Sequence, residues 1–317
     1  MIKRLEYFPF TFSAIILGLS GFTLLLQKIT LQIFEWDHTV WISSFTVCAV
    51  LLTLFFIAVI SRALLFPAHI KADFLHPVKG NFFAIPAKIF MIFASIMLPF
   101  STTVATYFWI IGSVWQLTIT FAIMSLWIRK DIFHPKHLSP AWFLPIVGNL
   151  IVPIAGVPLG FIDISWFFFS IGMFFWIALF AVVFNRIIFH DPMHEKFAPT
   201  LFILFAPPAI AAISLGKLTG EFSDASLAML YLAGFLFIFT ILQYSLFKKI
   251  SFYLSWWAYT FPTAALGLAF FYGYEETHKV FMLWCAMALE AFLLGIIILL
   301  IYKTVGAISR HELCVDD

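Results

Sequence analysis

The sequence predicts an all-α integral membrane protein, a single transmembrane domain over residues 1–317, and three observations carry that prediction. Hydrophobic residues make up 63% of the chain and charged residues 11%, where soluble proteins carry about 25% charged. The apolar runs are continuous over about 20 residues, the length that takes an α-helix across a bilayer, whereas a β-barrel would show ~10-residue alternating strands. The Lys and Arg residues between the runs are distributed unevenly, which orients them. With 18 basic and 16 acidic side chains set among 42 Phe and 11 Trp, no soluble surface can be built. A net charge of +2 without a basic stripe excludes a nucleic-acid partner.

Taken in order, the runs between charges give ten spans. Phe8–Leu26 follows Lys3 and Arg4; it is longer than a signal-peptide core and closes on no small-x-small site, so it reads as a helix. His38–Ile60 ends before Arg62, and Phe82–Leu98 runs from Lys79 to a tight link at Pro99-Phe100-Ser101-Thr102-Thr103. Val104–Ile128 stops at Arg129, and Trp142–Leu159 follows Ser139-Pro140. Ile162–Phe184 ends before Arg186, and Pro199–Leu215 lies between Lys196 and Lys217. Ala225–Phe247 stops at Lys248, Phe252–Gly273 before Glu275, and Val280–Tyr302 at Lys303. The N-terminus, the even-to-odd connections and the C-terminus carry 14 Lys/Arg, against three (Lys28, Lys217, Lys279) on the other side. This ratio predicts both termini in the cytoplasm and an even number of spans, arranged as five hairpins.

Proline marks an internal repeat. Every odd span except the first carries one near its start: Pro86, Pro145, Pro207 and Pro262, with Ile16 at the equivalent place in the first. The successive intervals are 70, 59, 62 and 55 residues, about one hairpin each. Proline removes a backbone hydrogen bond and bends a helix, and in lipid the freed carbonyl needs a partner or a watery cavity. Bends that respect hairpin parity predict odd helices gathered round an axis, rich in small residues. The even helices, such as the one carrying Trp166-Phe167-Phe168-Phe169, would form the outer ring.

At Ser255-Trp256-Trp257-Ala258-Tyr259-Thr260-Phe261-Pro262-Thr263 the chain resembles the tellurite-resistance/dicarboxylate transporter family. That family includes bacterial tellurite-resistance proteins, fungal malate and sulfite transporters and plant guard-cell slow anion channels. His76-Pro77 before Ile85-Pro86, and Ser139-Pro140 before Leu144-Pro145, fit the same pattern, and the resemblance covers essentially the whole chain. It implies ten helices around a quasi-five-fold central pore, a homotrimer with one pore per subunit, and passive conduction of small inorganic or organic anions. It also implies a phenylalanine gate, which maps onto Phe261. The sequence departs from the family at Ile16, where relatives can carry proline, and at Lys88, where neutral residues are usual.

Lys88 sits two residues after Pro86, inside a span, where a charge costs at least ~2.5–3.5 kcal/mol. Three readings stay open: a pore-wall cation that attracts anions, a buried ion pair with Glu290, a carboxylate inside a span, or a lysine that snorkels to the surface. Phe261 competes with packing as an explanation, since any one of 42 Phe is more often core than gate. Its place beside Pro262 favours a hydrophobic constriction that stops ions by dewetting. Asn149, Gln116 and Gln243 read as interhelical hydrogen-bonding residues. No Cys pair, Cys/His cluster or HExxH motif is present, so neither metal, cofactor nor enzyme chemistry is predicted. The function expected is a passive anion channel of a bacterial inner membrane, with membrane lipid and small anions as partners. The alternative is a proton-coupled transporter of C4-dicarboxylate, sulfite or tellurite.

Overall fold

Every predicted apolar run is helical in the computed structural model, which describes residues 2–34, 38–248 and 250–314. The side chain of Lys3, Lys249 and the terminal residue 317, which entered the charge count and the placement of the tail, lie outside the described residues. In chain order the segments are α1 (Phe10–Phe34), α2 (Thr39–Leu65), α3 (Lys79–Met97), α4 (Thr102–Arg129), α5 (Pro140–Gly156), α6 (Ile162–Phe189), α7 (Glu195–Thr219) and α8 (Asp224–Leu242). They are followed by α9 (254–277) and α10 (Val280–Ser309). Among the described residues, eight are long and apolar enough to cross a membrane. The other two are α5, which is short and internally broken, and α9, whose Thr260, Thr263, Glu275 and Glu276 lower its hydropathy.

Several helices run past the charge at which their predicted span stops, because that charge finds partners. α1 continues through Gln27 and Lys28: Gln27 Nε2 donates to Ile96 O at 3.0 Å, and Lys28 pairs with Glu275 at 3.1 Å. α2 continues through Arg62, which is buried. Its guanidinium donates to Glu6 O and Phe8 O at 2.8 and 2.9 Å and pairs with Asp73 at 2.7 Å. Arg186 does the same at the end of α6, donating to Pro135 O at 3.0 Å and to Asp191 O. A buried guanidinium holds up to five donors, so loop carbonyls that fold back on it can satisfy it. In the other direction, α8 ends at Leu242, short of the expected Phe247, and a turn at Gln243 leads into a separate short helix, Tyr244–Lys248.

The prolines do not kink helix interiors as expected. Each odd segment opens in 3₁₀ geometry and changes to α, and the proline lies in the first turn of the α part. The 3₁₀ stretches are Phe10–Phe12, Lys79–Ala84, Pro140–Trp142, Glu195–Phe205 and Leu254–Tyr259, followed by α starts at Ser13, Ile85, Phe143, Ala206 and Thr260. Proline is well tolerated there, because its missing N–H is not needed by the α ladder. The change of geometry also occurs in α1, which has Ile16 in place of proline, so proline marks the junction and does not cause it. α5 breaks a second time, with 3₁₀ geometry over Val147–Ile151 before α geometry resumes at Val152.

Each odd segment packs on the even one that follows it. The odd segments also pack on each other in the order α1, α3, α5, α7, α9 and back to α1, which closes a ring. Of the spans' apolar windows, 67–89% is buried in α1, α3 and α7 but only 17–33% in α2, α4, α6, α8 and α10. The inside-odd, outside-even arrangement read from composition is therefore the one that buries the small and polar faces. Small residues let the ring close: a Cβ on Gly18 would collide with the Thr260 side chain of α9, and one on Gly267 with Leu25 of α1.

Candidate functional site

The ring encloses two chambers, both lined by all five odd segments. The near chamber is built from the N-terminal halves: Ala14 and Leu17, Ile85 and Lys88, Leu144 and Val147, Ala206 and Pro207, Trp257 and Pro262 contribute to its wall. The far chamber is built from the C-terminal halves, with Leu24 and Lys28, Ile92 and Ser95, Ile154, Ile213 and Lys217, Tyr272 and Glu275. The five segments therefore run in the same direction along one axis. Ile151, Ile210 and Phe261 line both chambers and form the waist between them. The Phe261 ring lies against α1, where a Cβ on Gly21 would come within 3.3 Å of its Cδ2.

Lys88 is buried in the near-chamber wall, and its ammonium spends its three protons on three oxygens. It donates to Ala84 O of its own helix at 3.1 Å, to Gln116 Oε1 of α4 at 3.1 Å and to Leu144 O of α5 at 2.6 Å. The neighbouring α5 carbonyls are treated alike. Pro145 O accepts from Gln116 Nε2 (2.8 Å) and Thr120 Oγ1 (2.7 Å), and Ile146 O from Asn149 Nδ2 (2.7 Å). These carbonyls face a broken helix, and side chains supply the donors that the regular backbone ladder would have given. Gly148 leaves room for this, since a Cβ there would sit 2.5 Å from both Lys88 Cε and Nζ.

Of the three readings of Lys88, the pair with Glu290 is not formed. Glu290 lies on α10, which packs on α9 and α1, while Lys88 points to α4 and α5. Both Glu290 carboxylate oxygens are buried without a hydrogen-bond partner, and the residue lines neither chamber. Lys88 does not snorkel either, being 2% exposed. Of the residues expected along the axis, Lys88, Pro207, Phe261 and Pro262 reach a chamber wall. Ile16, Pro86 and Pro145 stand at the 3₁₀-to-α junctions but turn away into the packing, and their neighbours Leu17, Ile85 and Leu144 face the space instead. Gln116 and Asn149 make interhelical hydrogen bonds, as expected, whereas the Gln243 side chain donates to Phe239 O, one turn back, at 3.4 Å. Ile151 and Ile210 are absent from the sequence expectations, because an isoleucine in an apolar run carries no signal. Lys28 and Lys217 were legible only as loop cations, although both line the far chamber.

The profile of the voltage-dependent anion channel family, SLAC1, matches residues 7–305. The chain belongs to this family. Among curated relatives it is similar to the S-type anion channel SLAH2 of Arabidopsis thaliana, at 28% identity over 72% of this chain and 44% of that one. An uncharacterised transporter of Methanocaldococcus jannaschii, MJ0762, matches at 24% identity over 81% of this chain and 82% of its own length. The tellurite resistance protein TehA homolog of Haemophilus influenzae matches at 25% identity over 64% and 63% of the two chains. This chain spans less than half the length of the plant SLAH2 channel. The SLAC1 family is one of channels and transporters, and with its membrane-spanning helices this member is an integral membrane protein.

Proposed function

We propose that this SLAC1-family protein is a passive channel for small anions, conducting along the axis of its odd helices and closed by Phe261. The observation that carries the reading is the waist: two chambers, each walled by five segments, meet only where Phe261 stands with Ile151 and Ile210. An apolar constriction of this kind leaves an ion no room to keep its water, so it stops conduction without any charge. In the same reading the ten segments all cross the bilayer with quasi-five-fold symmetry, and the near chamber opens to the cytoplasm. The 14-to-3 excess of Lys/Arg on that side supports this orientation, with both termini cytoplasmic in a bacterial inner membrane. The subunit assembles as a homotrimer with one pathway each. A proton-coupled carrier of C4-dicarboxylate, sulfite or tellurite would need a titratable relay that continues through the waist, where Ile151, Ile210 and Phe261 carry no titratable group.

The test is Phe261→Ala in planar bilayers or proteoliposomes. The nearly silent parent is expected to become conducting, with a reversal potential that follows the anion gradient and is indifferent to a pH gradient. Packing alone predicts a loss of ~3–5 kcal/mol and no current. Well-folded Phe261→Ala protein that stays silent would remove the gate, and a pH-dependent reversal potential would favour the coupled carrier.

A further inference from the structure

Two arginines stand at equivalent places in the first and third hairpins, and only one of them has a counter-ion. Arg62 and Arg186 are both buried, each three residues before the end of an even helix, at Leu65 of α2 and Phe189 of α6. Each holds the segment that leads into its own hairpin: Arg62 donates to Glu6 O and Phe8 O, Arg186 to Pro135 O. The linker after the helix supplies the remaining partner, and here the two differ. For Arg62 it supplies a carboxylate, Asp73, at 2.7 Å. For Arg186 it supplies only the backbone carbonyl of Asp191. Among the described residues Arg186 makes no ion pair, and neither do Asp131, Asp191 and Glu195, the exposed acids of the loops around it. Two of its five N–H groups are therefore bonded, through Nε and Nη1, and Nη2 donates to nothing in the described chain. Lys88 differs, since all three of its protons end on oxygens.

The surroundings have the same sign and border lipid. Lys136 directly follows Pro135 and is exposed, as are Arg129, Lys130 and His134 of the same loop. Burial lowers the proton affinity of His137, and the charges of Lys136 and His134 beside it lower it further. The loop is a closed turn, with His137 N donating to His134 O at 2.9 Å and His134 N to His137 Nδ1 at 3.3 Å. Ile187, Ile188 and Phe189, which follow Arg186, are exposed apolar side chains on an outer-ring helix. We propose that the corner between the α4–α5 loop and the end of α6 binds the phosphate of an anionic phospholipid. The phosphate stands where the Asp73 carboxylate stands beside Arg62. Arg186 is its main ligand, through the donors left on a planar fork that suits phosphate oxygens, and Lys136 is the second cation. The exposed Ile187–Phe189 edge lies along the acyl chains, which a free phosphate lacks. The site is off the axis of the odd helices, so it stands or falls apart from the channel reading.

The experiment titrates the detergent-purified full-length protein with phosphatidylglycerol in mixed micelles and reads the melting temperature. Phosphatidylcholine and inorganic phosphate, at matched ionic strength, are the other arms. Phosphatidylglycerol is expected to stabilise the parent saturably, and the other two to shift it little. Arg186→Gln should raise the half-saturating phosphatidylglycerol roughly ten-fold, the loss of about one charge-assisted contact. Arg186→Lys should raise it by roughly three-fold, because the charge stays and the fork is lost. Lys136→Gln should raise it by roughly three-fold and leave the lipid-free melting temperature unchanged, since the side chain is exposed. Lys71→Gln, an exposed cation on the linker after α2, should leave the half-saturation at the parental value. Stabilisation by phosphatidylcholine or inorganic phosphate equal to that by phosphatidylglycerol overturns the proposal, as does an Arg186→Gln protein with the parental half-saturation. If Arg186→Gln does not fold, Lys136→Gln decides: an unchanged half-saturation, or one weakened no more than in Lys71→Gln, overturns the site.

Discussion

Lys88 shows how one side chain can carry an interior charge without a counter-ion. Its three donors end on two backbone carbonyls and an amide oxygen, so the charge is solvated by dipoles rather than paired. Gly148 is the residue that permits this, and Gly148→Ala should destabilise the fold by about 1–3 kcal/mol through overpacking against the lysine. The loss should shrink in a Lys88→Ala background, where the obstructed atoms are gone; thermal unfolding of the four proteins of the cycle checks it, and equal losses in both backgrounds would contradict the contact. The sequence made Lys88 conspicuous and left its partner open. Glu290 was the natural candidate on composition, but a carboxylate on an outer helix cannot be told from one facing inward without the packing. Ile151 and Ile210, which share the waist with Phe261, could not be found at all, since nothing distinguishes them from other apolar residues of the odd helices.

At the scale of the element, the instructive case is α5. Side chains bond carbonyls 144 to 146 around its break, and Lys88, Gln116, Thr120 and Asn149 do so from three segments. Thr120→Val removes one of two donors to Pro145 O and should cost ~1 kcal/mol. Gln116→Leu removes the other donor together with an acceptor of Lys88, and should cost more, about 2–3 kcal/mol, with loss of monodisperse protein in detergent as a second readout. If both variants melt like the parent, the α5 carbonyls do not depend on these donors. Parity of the prolines was legible and pointed to the ring. The 3₁₀ geometry was not, because α1 adopts it with no proline and because 3₁₀ and α stretches have the same apolar content. Helix ends were misread wherever a charge was buried by folded-back carbonyls, as at Arg62. Arg62→Leu should cost about 3–5 kcal/mol by removing the closer of the two cations beside Asp73 and the donor to two carbonyls, measurable as a lowered melting temperature. A melting temperature equal to the parent's would show that the carbonyls of Glu6 and Phe8 do not depend on Arg62.

At the scale of the whole molecule, all five odd segments of one chain line both chambers. Conduction should therefore belong to the subunit even within a homotrimer. Mixed assemblies of parent and Phe261→Ala subunits should give current in direct proportion to the mutant fraction. A cubic dependence would mean that the pathway lies between subunits. The composition and the apolar runs were enough to foresee the membrane fold, since 11% charged residues admit little else. They could not reveal that two chambers share Ile151, Ile210 and Phe261 in their walls, because that depends on which neighbours lean inward.

The closure of the ring of odd segments also governs how the chain can be made. α1 leaves the ribosome first, yet the partners of its inner face come last: Lys28 waits 247 residues for Glu275, and the groove at Gly18 waits for Thr260. Until α9 is synthesised, the nascent bundle is an open crescent whose first helix exposes a small-residue groove and an unneutralised ammonium to lipid or to the insertion machinery. The earlier hairpins can enter the bilayer one at a time, but the compartments come into being in a single late step, which joins the two ends of the sequence.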